Sequence, residues 1–194
     1  MTHKKILLIN CHPNADSFNF GLATAYKNGA IQSGAEVKEI IIRDLKFDTN
    51  LHYGYQKVLP LEPDLLDAQE KIKWAEHLVW VHPVWWGGLP ALSKGFIDRT
   101  FIPGFAFKYK KDSVWWDKLL AGRTAHIITT LDQPWWYYWL VFGRPSINQL
   151  KKSTLEFCGI KVVQITYVGP IRNSKLDFRK KWLSKIEKLG LQTR

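Results

Sequence analysis

Five short apolar runs alternate with amphipathic segments along the chain. Each run is rich in Ile, Leu and Val and is bounded by polar residues or turn formers, which is typical of strands buried on both faces of a sheet. The runs predict strands over residues 4–10, 37–42, 78–82, 125–130 and 162–168.

Between these runs, apolar residues recur with the 3.6-residue period of a helix, as Phe18, Leu22, Ala25 and Tyr26 do on one face of the first helix. The pattern predicts helices over residues 18–34, 64–76, 89–102, 146–158 and 177–189. Strands alternating with helices predict right-handed crossovers and an open, doubly wound α/β sheet. Five strands favour the flavodoxin-like order 2-1-3-4-5.

Two stretches show no regular period. Residues 43–63 are expected to form a long surface loop, and residues 135–142 (WWYYWLVF) fit neither a strand nor a helix. An exposed run of this kind usually marks an interface. Association with a membrane surface is the alternative.

Composition favours one globular domain. A length of 194 residues with 46% hydrophobic and 23% charged residues excludes collagen-like and disordered classes, and we expect residues 1–194 to form a single domain. Two cysteines are too few for a disulfide scaffold. With no apolar run long enough to cross a bilayer and no signal peptide, we expect a soluble cytoplasmic protein.

The chain carries a formal net charge of +11. Such a surface attracts phosphorylated cofactors, nucleic acid or acidic lipid headgroups. Lys and Arg are scattered and no nucleic-acid reader motif is present, so we expect no specific nucleic-acid partner. We also expect no metal, because no Cys/His cluster has ligand spacing, and His77 and His82 point to opposite faces of their predicted strand.

The predicted sheet indicates where a ligand binds. In open α/β sheets, ligands lie outside the carboxyl ends of the strands, beside the point where the strand order reverses. For the order 2-1-3-4-5 this edge carries the loops after the first, third and fourth strands. These loops, residues 11–19, 83–90 and 129–138, contain the most unusual sequence in the chain.

The first loop resembles a phosphate cradle. It brings Ser17, Phe18 and Asn19 to the start of a helix, where a hydroxyl and free backbone N–H groups bind anions. His12 adds a donor that becomes charged when an anion arrives. Helix capping by Ser17 or Asp16 is an equally good interpretation. No GxGxxG follows the first strand and no P-loop is present, which argues against a Rossmann-type site and an NTPase.

The other two loops offer flat walls and proton donors. Trp85 and Trp86 precede two glycines, so aromatic rings and close-approaching backbone N–H groups lie together. In the third loop Asp132 is a hydrogen-bond partner for a polyol, and Tyr137 and Tyr138 are the candidate acid/base phenols. Core packing without chemistry is the alternative for both loops.

Three segments carry a family resemblance: HPNADSFN, PVWWGGLPALSKGFIDRTFIPGFAF and LEFCGIKVV. Through them the chain resembles the flavin-dependent NAD(P)H:quinone reductases of the DT-diaphorase type, which have a flavodoxin-like fold. That group includes small bacterial members and the ancillary subunits of glutathione-gated potassium efflux systems. The resemblance extends over residues 4–168 and rests mainly on the long central segment.

The resemblance implies specific flavin contacts. The residues it assigns are His12, Ser17, Phe18 and Asn19 near the phosphate, Pro83, Val84, Trp85, Trp86 and Gly87 along the isoalloxazine edge, and Thr129 and Thr130 at the ribityl side. Tyr137 matches the family's catalytic Tyr by its spacing from Thr130. Leu131 and Asp132 replace the Gly-Gly of animal members, and residues 139–146 contain no counterpart of the family's His. Proton donation would therefore rest on Tyr137, water or the backbone.

The resemblance also implies a reaction. NAD(P)H would deliver a hydride to flavin N5 and leave, and a quinone or a similar acceptor would then take two electrons in the same place, in ping-pong kinetics. FMN is slightly favoured over FAD, because the chain lacks the long C-terminal extension of larger FAD-binding members. The resemblance also implies a homodimer whose active sites lie at the subunit boundary, so we assign residues 135–142 to a dimer contact and a pocket wall. The alternative functions are an ancillary regulatory subunit of a potassium efflux system and a one-electron flavodoxin-type carrier.

Overall fold

A computed structural model describes residues 3–54, 56–57 and 59–193. Its strands are β1 (Lys5–Asn10), β2 (Glu36–Ile41), β3 (His77–Pro83), β4 (Phe107–Tyr109), β5 (Trp116–Lys118), β6 (Thr124–Thr130) and β7 (Lys161–Val168). Five of them form a parallel sheet in the order β2-β1-β3-β6-β7. Counted along that sheet, this is the predicted order 2-1-3-4-5, so the flavodoxin-like fold class is confirmed.

Helices cover both faces of this sheet. They are α1 (Phe18–Gln32), α2 (Pro63–Trp74), α3 (Ala91–Thr100), α4 (Trp135–Leu140), α5 (Pro145–Leu150) and α6 (Leu176–Leu191). Helices α1 and α6 pack on one face, and α2, α3 and α5 pack on the other. No helix in the described ranges is both long and apolar enough to span a bilayer.

Central strands are buried because their side chains alternate between two cores. In β1, Leu7 and Ile9 face the core beneath α2 and α3, whereas Ile6 and Leu8 face the core beneath α1 and α6. A strand with helices on both sides must be apolar at every position, which explains its continuous aliphatic sequence. Trp80 of β3 is fully buried in the first of these cores.

Three segments differ from the sequence-based prediction. Residues 135–140 form helix α4, which is too short to show a period and buries Tyr138 alone among its side chains. Strands β4 and β5 pair as an antiparallel hairpin that was not predicted. The predicted helix over residues 146–158 is α5 followed by a π-helical turn, Lys151–Glu156.

The long loop was predicted correctly in outline. After a short 3-10 turn, Ile42–Asp44, the described residues up to α2 contain no helix or strand. Residues 55 and 58 of this loop lie outside the described ranges. Buried Arg99 of α3 anchors the loop, because its guanidinium pairs with Glu62 at 2.7 Å and donates to the Asp48 carbonyl at 2.5 Å.

The contact between α1 and α6 predicts a large stability effect. A Cβ added at Gly29 would lie 1.9 Å from the Glu187 carbonyl oxygen, so the two helices would have to separate. We expect Gly29→Ala to lower the free energy of unfolding by about 3 kcal/mol, measured by urea titration. Gly21→Ala is the matched control in α1, because its new Cβ would meet side-chain atoms at ordinary contact distances, Leu183 at 3.4 Å and Phe18 at 3.9 Å. Equal effects of the two variants would contradict this account.

Candidate functional site

A cleft lies at the carboxyl ends of β1, β3 and β6, where the sheet order predicted it. Its volume is about 190 Å³. It is lined by His12, Ser17, Phe18, Asn19, Pro83, Val84, Trp85, Thr130, Leu131, Asp132 and Ile171. Most of the site residues predicted from the sequence are therefore brought together. A larger cavity of about 660 Å³ continues from the cleft and adds Trp86, Gly87, Gln133, Phe142 and Arg172 to its walls.

One end of the cleft presents hydrogen-bond donors that have no acceptor among the described residues. Ser17 is the N-cap residue of α1, yet its Oγ is buried and has no hydrogen-bond partner among the described residues. The backbone N–H groups of Phe18 and Asn19 also find no acceptor there, and the first turn of α1 contains no acidic side chain. The helix-capping alternative requires the side-chain oxygen of Ser17 or Asp16 to accept a hydrogen bond from a backbone N–H of the first turn, and none is observed among the described residues. Unpaired donors at a helix N-terminus suit a phosphate group.

His12 lines the cleft together with these donors. The Asn14 backbone N–H donates to His12 Nδ1 at 3.0 Å, so the neutral ring carries its proton on Nε2. Burial lowers the pKa of His12. The ring meets Trp85 edge-on, with 5.5 Å between centroids. His12 is therefore a neutral donor held between the first and second loops.

Only one of the two adjacent threonines faces the cleft. Thr130 Oγ1 accepts a hydrogen bond from Asn19 Nδ2 at 3.1 Å, which ties β6 to the start of α1. Thr129 is fully buried, and its Oγ1 lies 3.5 Å from His82 Nδ1 on the opposite face of the sheet. Consecutive side chains of a strand alternate between faces, so the Thr129 side chain lines neither cavity.

The second loop forms a tight turn with unusual backbone angles. Trp85 and Gly88 exchange backbone hydrogen bonds of 3.1 Å and 2.9 Å. Between them, Trp86 and Gly87 have φ values of 51° and 76°. A positive φ is uncommon for a bulky residue and marks a candidate functional position. The Trp86 side chain is fully exposed, and the N–H groups of Trp86 and Gly87 have no acceptor among the described residues.

The structure separates the two candidate phenols. Tyr138 is fully buried, and its hydroxyl donates to the Gly87 carbonyl at 3.0 Å and lies 2.7 Å from Ser146 Oγ. Burial raises the pKa of Tyr138. Tyr138 therefore holds the Trp86–Gly87 turn from behind. Tyr137 is partly exposed and meets Phe142, a wall of the larger cavity, with 5.7 Å between ring centroids. It lies beside that wall and lines neither cavity.

A fourth loop, which the sequence analysis did not include, also reaches the site. It follows β7, and its Ile171 and Arg172 line the cavities. The Arg172 backbone N–H donates to Asp132 Oδ1 at 3.1 Å, and the guanidinium lies 3.4 Å from Oδ2. Asp132 thus lies at the junction of the two cavities as half of an ion pair. The signal was available, because β7 is parallel to the other strands and ends at the same edge of the sheet.

Curated relatives match nearly the whole chain. NAD(P)H dehydrogenase [quinone] 1 of Cavia porcellus is 25% identical, with 98% of this chain and 78% of the relative covered. Ribosyldihydronicotinamide dehydrogenase [quinone] of Pongo abelii is 27% identical, with 90% and 86% covered. The motifs that carried the resemblance lie within these matches.

Solved structures share the fold. Smu.1420 from Streptococcus mutans UA159 superposes with a TM-score of 0.80 at 30% identity, covering 96% of this chain and 98% of the other. NAD(P)H:quinone oxidoreductase from Methanothermobacter marburgensis gives 0.82 at 19% identity, with 100% of both chains covered. An FMN-dependent NADH-azoreductase from Bacillus anthracis, solved in complex with FMN, gives 0.72 at 19%, with 96% and 97% covered. The last two likenesses concern the fold alone.

The match to a family profile shows which protein family the chain belongs to. The profile of the Flavodoxin_2 family, described by its flavodoxin-like fold, matches residues 4–189. Together with the quinone-dehydrogenase relatives, this match confirms the resemblance seen in the motifs. The chain, whose curated relatives include an NAD(P)H dehydrogenase [quinone], therefore belongs to the Flavodoxin_2 family of flavodoxin-like proteins.

Proposed function

We propose that the protein is a flavin-dependent NAD(P)H:quinone oxidoreductase. The observation that carries this proposal is the buried Ser17 hydroxyl at the N-terminus of α1, which has no hydrogen-bond partner among the described residues and faces a cleft that also contains Phe18 and Trp85. A phosphorylated ring system fits both ends of such a cleft. The names of the quinone-dehydrogenase relatives support the choice of reaction.

The donors and walls of the cleft suit a flavin. Ser17 and the first amides of α1 would hold the phosphate, with His12 as an additional donor. Backbone N–H groups of Trp86 and Gly87 would meet the polar edge of the ring system, and Trp85 would form its wall. We propose FMN as the bound form, in line with the FMN complex of the Bacillus anthracis azoreductase of the same fold.

A bound flavin would supply the redox chemistry, accepting a hydride at N5 from NAD(P)H and passing two electrons to the acceptor. The larger cavity beside the turn offers one apolar place for both substrates, bounded by Trp86 and Phe142. Arg172, which forms an ion pair with Asp132, provides a cation in the wall of this cavity. One shared place requires the first product to leave before the acceptor binds, so ping-pong kinetics are expected.

Tyr137 is the residue we propose as a proton donor to the reduced acceptor. Its phenol is partly exposed beside Phe142, a wall of the larger cavity, so rotation of the Tyr137 side chain would be needed to bring it to an acceptor there, whereas the phenol of Tyr138 is engaged with Gly87 and Ser146. We expect Tyr137→Phe to slow one half-reaction about a hundredfold without releasing flavin, measured by stopped-flow absorbance. Unchanged rates in both half-reactions would remove Tyr137 from the mechanism.

The experiment that tests the whole proposal uses the purified chain. It is offered FMN and FAD, its visible absorption is recorded, and NAD(P)H oxidation is followed with a soluble quinone and no partner reductase. Flavin binding with steady-state turnover is the expected result. A protein that binds neither flavin overturns the proposal, and flavin binding without turnover identifies a one-electron carrier instead.

We also propose that the protein acts as a cytoplasmic homodimer. Cys11 and Cys158 are free and buried, which suits a reducing compartment. The β4–β5 hairpin exposes Tyr109, Val114 and Trp115, an apolar surface that a second copy would cover. Sedimentation analysis tests the dimer, and a fully active monomer would overturn it.

A further inference from the structure

The turn that carries Trp86 and Gly87 has a backbone conformation that its own side chains do not stabilise. Both residues have positive φ values, 51° and 76°. For a bulky residue such as Trp86 this region is strained, and a strained backbone persists only where the surrounding structure holds it. The Trp86 side chain is fully exposed, so its burial does not offset the strain. The stabilisation must therefore come from other parts of the chain.

Hydrogen bonds from two other segments converge on the Gly87 carbonyl oxygen. It accepts one from the Tyr138 hydroxyl and one from the Ser146 backbone N–H, each at 3.0 Å. The Ser146 hydroxyl oxygen lies 2.7 Å from the Tyr138 hydroxyl oxygen, and both side chains are fully buried. A buried polar network whose members are all paired favours a single arrangement. We name this network of Tyr138 and Ser146 on the Gly87 carbonyl the phenol clamp.

The phenol clamp joins the turn to two helices behind it. Tyr138 belongs to α4, and Ser146 lies in the first turn of α5. The contact is close, because a Cβ added at Gly87 would lie 3.3 Å from Pro145 Cγ at the start of α5. If the turn moved away from this position, the Gly87 carbonyl would lose both of its donors in a buried environment, which is costly.

The opposite side of the turn remains available to a ligand. The backbone N–H groups of Trp86 and Gly87 have no acceptor among the described residues, and both residues line the larger cavity. Tyr138 lines neither cavity, so it can act on a ligand only through the turn. Donors that are held in place before a ligand arrives bind it without a cost of ordering.

We propose that Tyr138 is a positioning residue for the flavin. Through the Gly87 carbonyl, it holds the Trp86 and Gly87 N–H groups in the orientation that binds the polar edge of the ring system. This inference rests on the proposed oxidoreductase function. Fixed N–H donors stabilise negative charge, so the clamp should favour the reduced, more negatively charged form of the flavin over the oxidised form.

The first test uses the flavin-free protein. Tyr138→Phe keeps the ring and removes the hydroxyl, so the Gly87 carbonyl retains only the Ser146 N–H. The Gly88 N–H donates to the Trp85 carbonyl at 2.9 Å across the turn and therefore reports on its opening. We expect this amide to exchange with solvent about tenfold faster in the variant, because one hydrogen bond that holds the turn is lost. Hydrogen–deuterium exchange followed by NMR measures the rate.

The second test measures flavin binding without turnover. We expect Tyr138→Phe to bind oxidised flavin about tenfold more weakly and reduced flavin about a hundredfold more weakly. The additional tenfold loss for the reduced form lowers the two-electron reduction potential of the bound flavin by about 30 mV. Fluorescence quenching gives the affinity of the oxidised form, and equilibration with a dye of known potential gives the reduction potential. Ser146→Ala should cause smaller changes in the same direction.

Tyr26→Phe is the matched control. Tyr26 is also buried, its hydroxyl lies 2.6 Å from Thr193 Oγ1, and it belongs to the core on the other face of the sheet. This variant should lose stability to urea as Tyr138→Phe does, yet leave Gly88 exchange, flavin affinity and the potential unchanged.

Two results would overturn the positioning role of Tyr138 while the proposed function stands. One is an unchanged potential and unchanged Gly88 exchange in Tyr138→Phe. The other is an equal effect of Tyr26→Phe, since loss of packing would then explain both variants. A chain that binds no flavin overturns the proposed function and this role together, even where Gly88 exchange shows that the clamp holds the turn.

Discussion

Replacing Ser17 by Asp is expected to weaken flavin binding about a hundredfold while leaving the fold intact. Asp is as good an N-cap residue as Ser, so α1 and the unfolding midpoint of the flavin-free protein should be unchanged or slightly improved. The new carboxylate would lie where the flavin phosphate is proposed to bind. Two like charges at that range cost about 3 kcal/mol or more, which is about a hundredfold in the dissociation constant. Quenching of flavin fluorescence measures this constant.

The matched control places the same charge on a distant surface. Ser153 is exposed on the π-helical turn after α5, so Ser153→Asp should bind flavin as the unmodified protein does. Ser17→Ala should fall between the two, losing about tenfold because one hydrogen bond to a charged group is removed. Retained affinity in Ser17→Asp would show that the phosphate binds elsewhere, and the assignment of this end of the cleft would be wrong.

Acidification is expected to destabilise the folded protein well above the pKa of its carboxyl groups. Burial lowers the pKa of His82 and of His77 to about 4, and that of His126 to about 3. In the unfolded chain these rings have a pKa near 6.5. Below that pH the unfolded state therefore binds protons, whereas the buried rings of the folded state stay neutral. The free energy of unfolding therefore falls as the pH drops from about 6.5 toward 4, by about 1.4 kcal/mol per pH unit for each ring. Urea titrations from neutral pH to about pH 5 measure it.

One variant isolates a single ring. His126 is buried and its Nε2 lies 2.8 Å from Thr166 Oγ1, a contact that the amide of His126→Gln can replace. The slope of the free energy of unfolding against pH should then decrease by the amount that corresponds to one bound proton. His3→Gln is the control, because it removes a histidine from the exposed surface. A free energy of unfolding that stays constant over this range, or an equal effect of His3→Gln, would show that these rings do not control acid stability.

The strand pattern carried most of what the sequence could predict. Runs such as the one around Leu7 and Ile9 have one explanation, a strand covered on both faces, and five of them with helices between define the sheet order. Because parallel strands end at a common edge, the positions of Ser17, Trp85 and Thr130 in one cleft followed from that order. Local propensity could not predict α4, since six residues are too few for a helical period and its burial depends on Tyr138 alone.

Amino-acid order was enough to establish the layered α/β fold and the edge of the sheet at which the cleft lies, since both depend on periodicity and chain direction. It could not decide which member of a neighbouring pair faces the cleft. Thr130 rather than Thr129 lines it, and Thr130 is bonded there to Asn19, which is 111 positions away in sequence but adjacent in space. Tyr138 is structural because it meets Gly87 across 51 positions. Such contacts join distant loops, so they exist only once the sheet has brought those loops together.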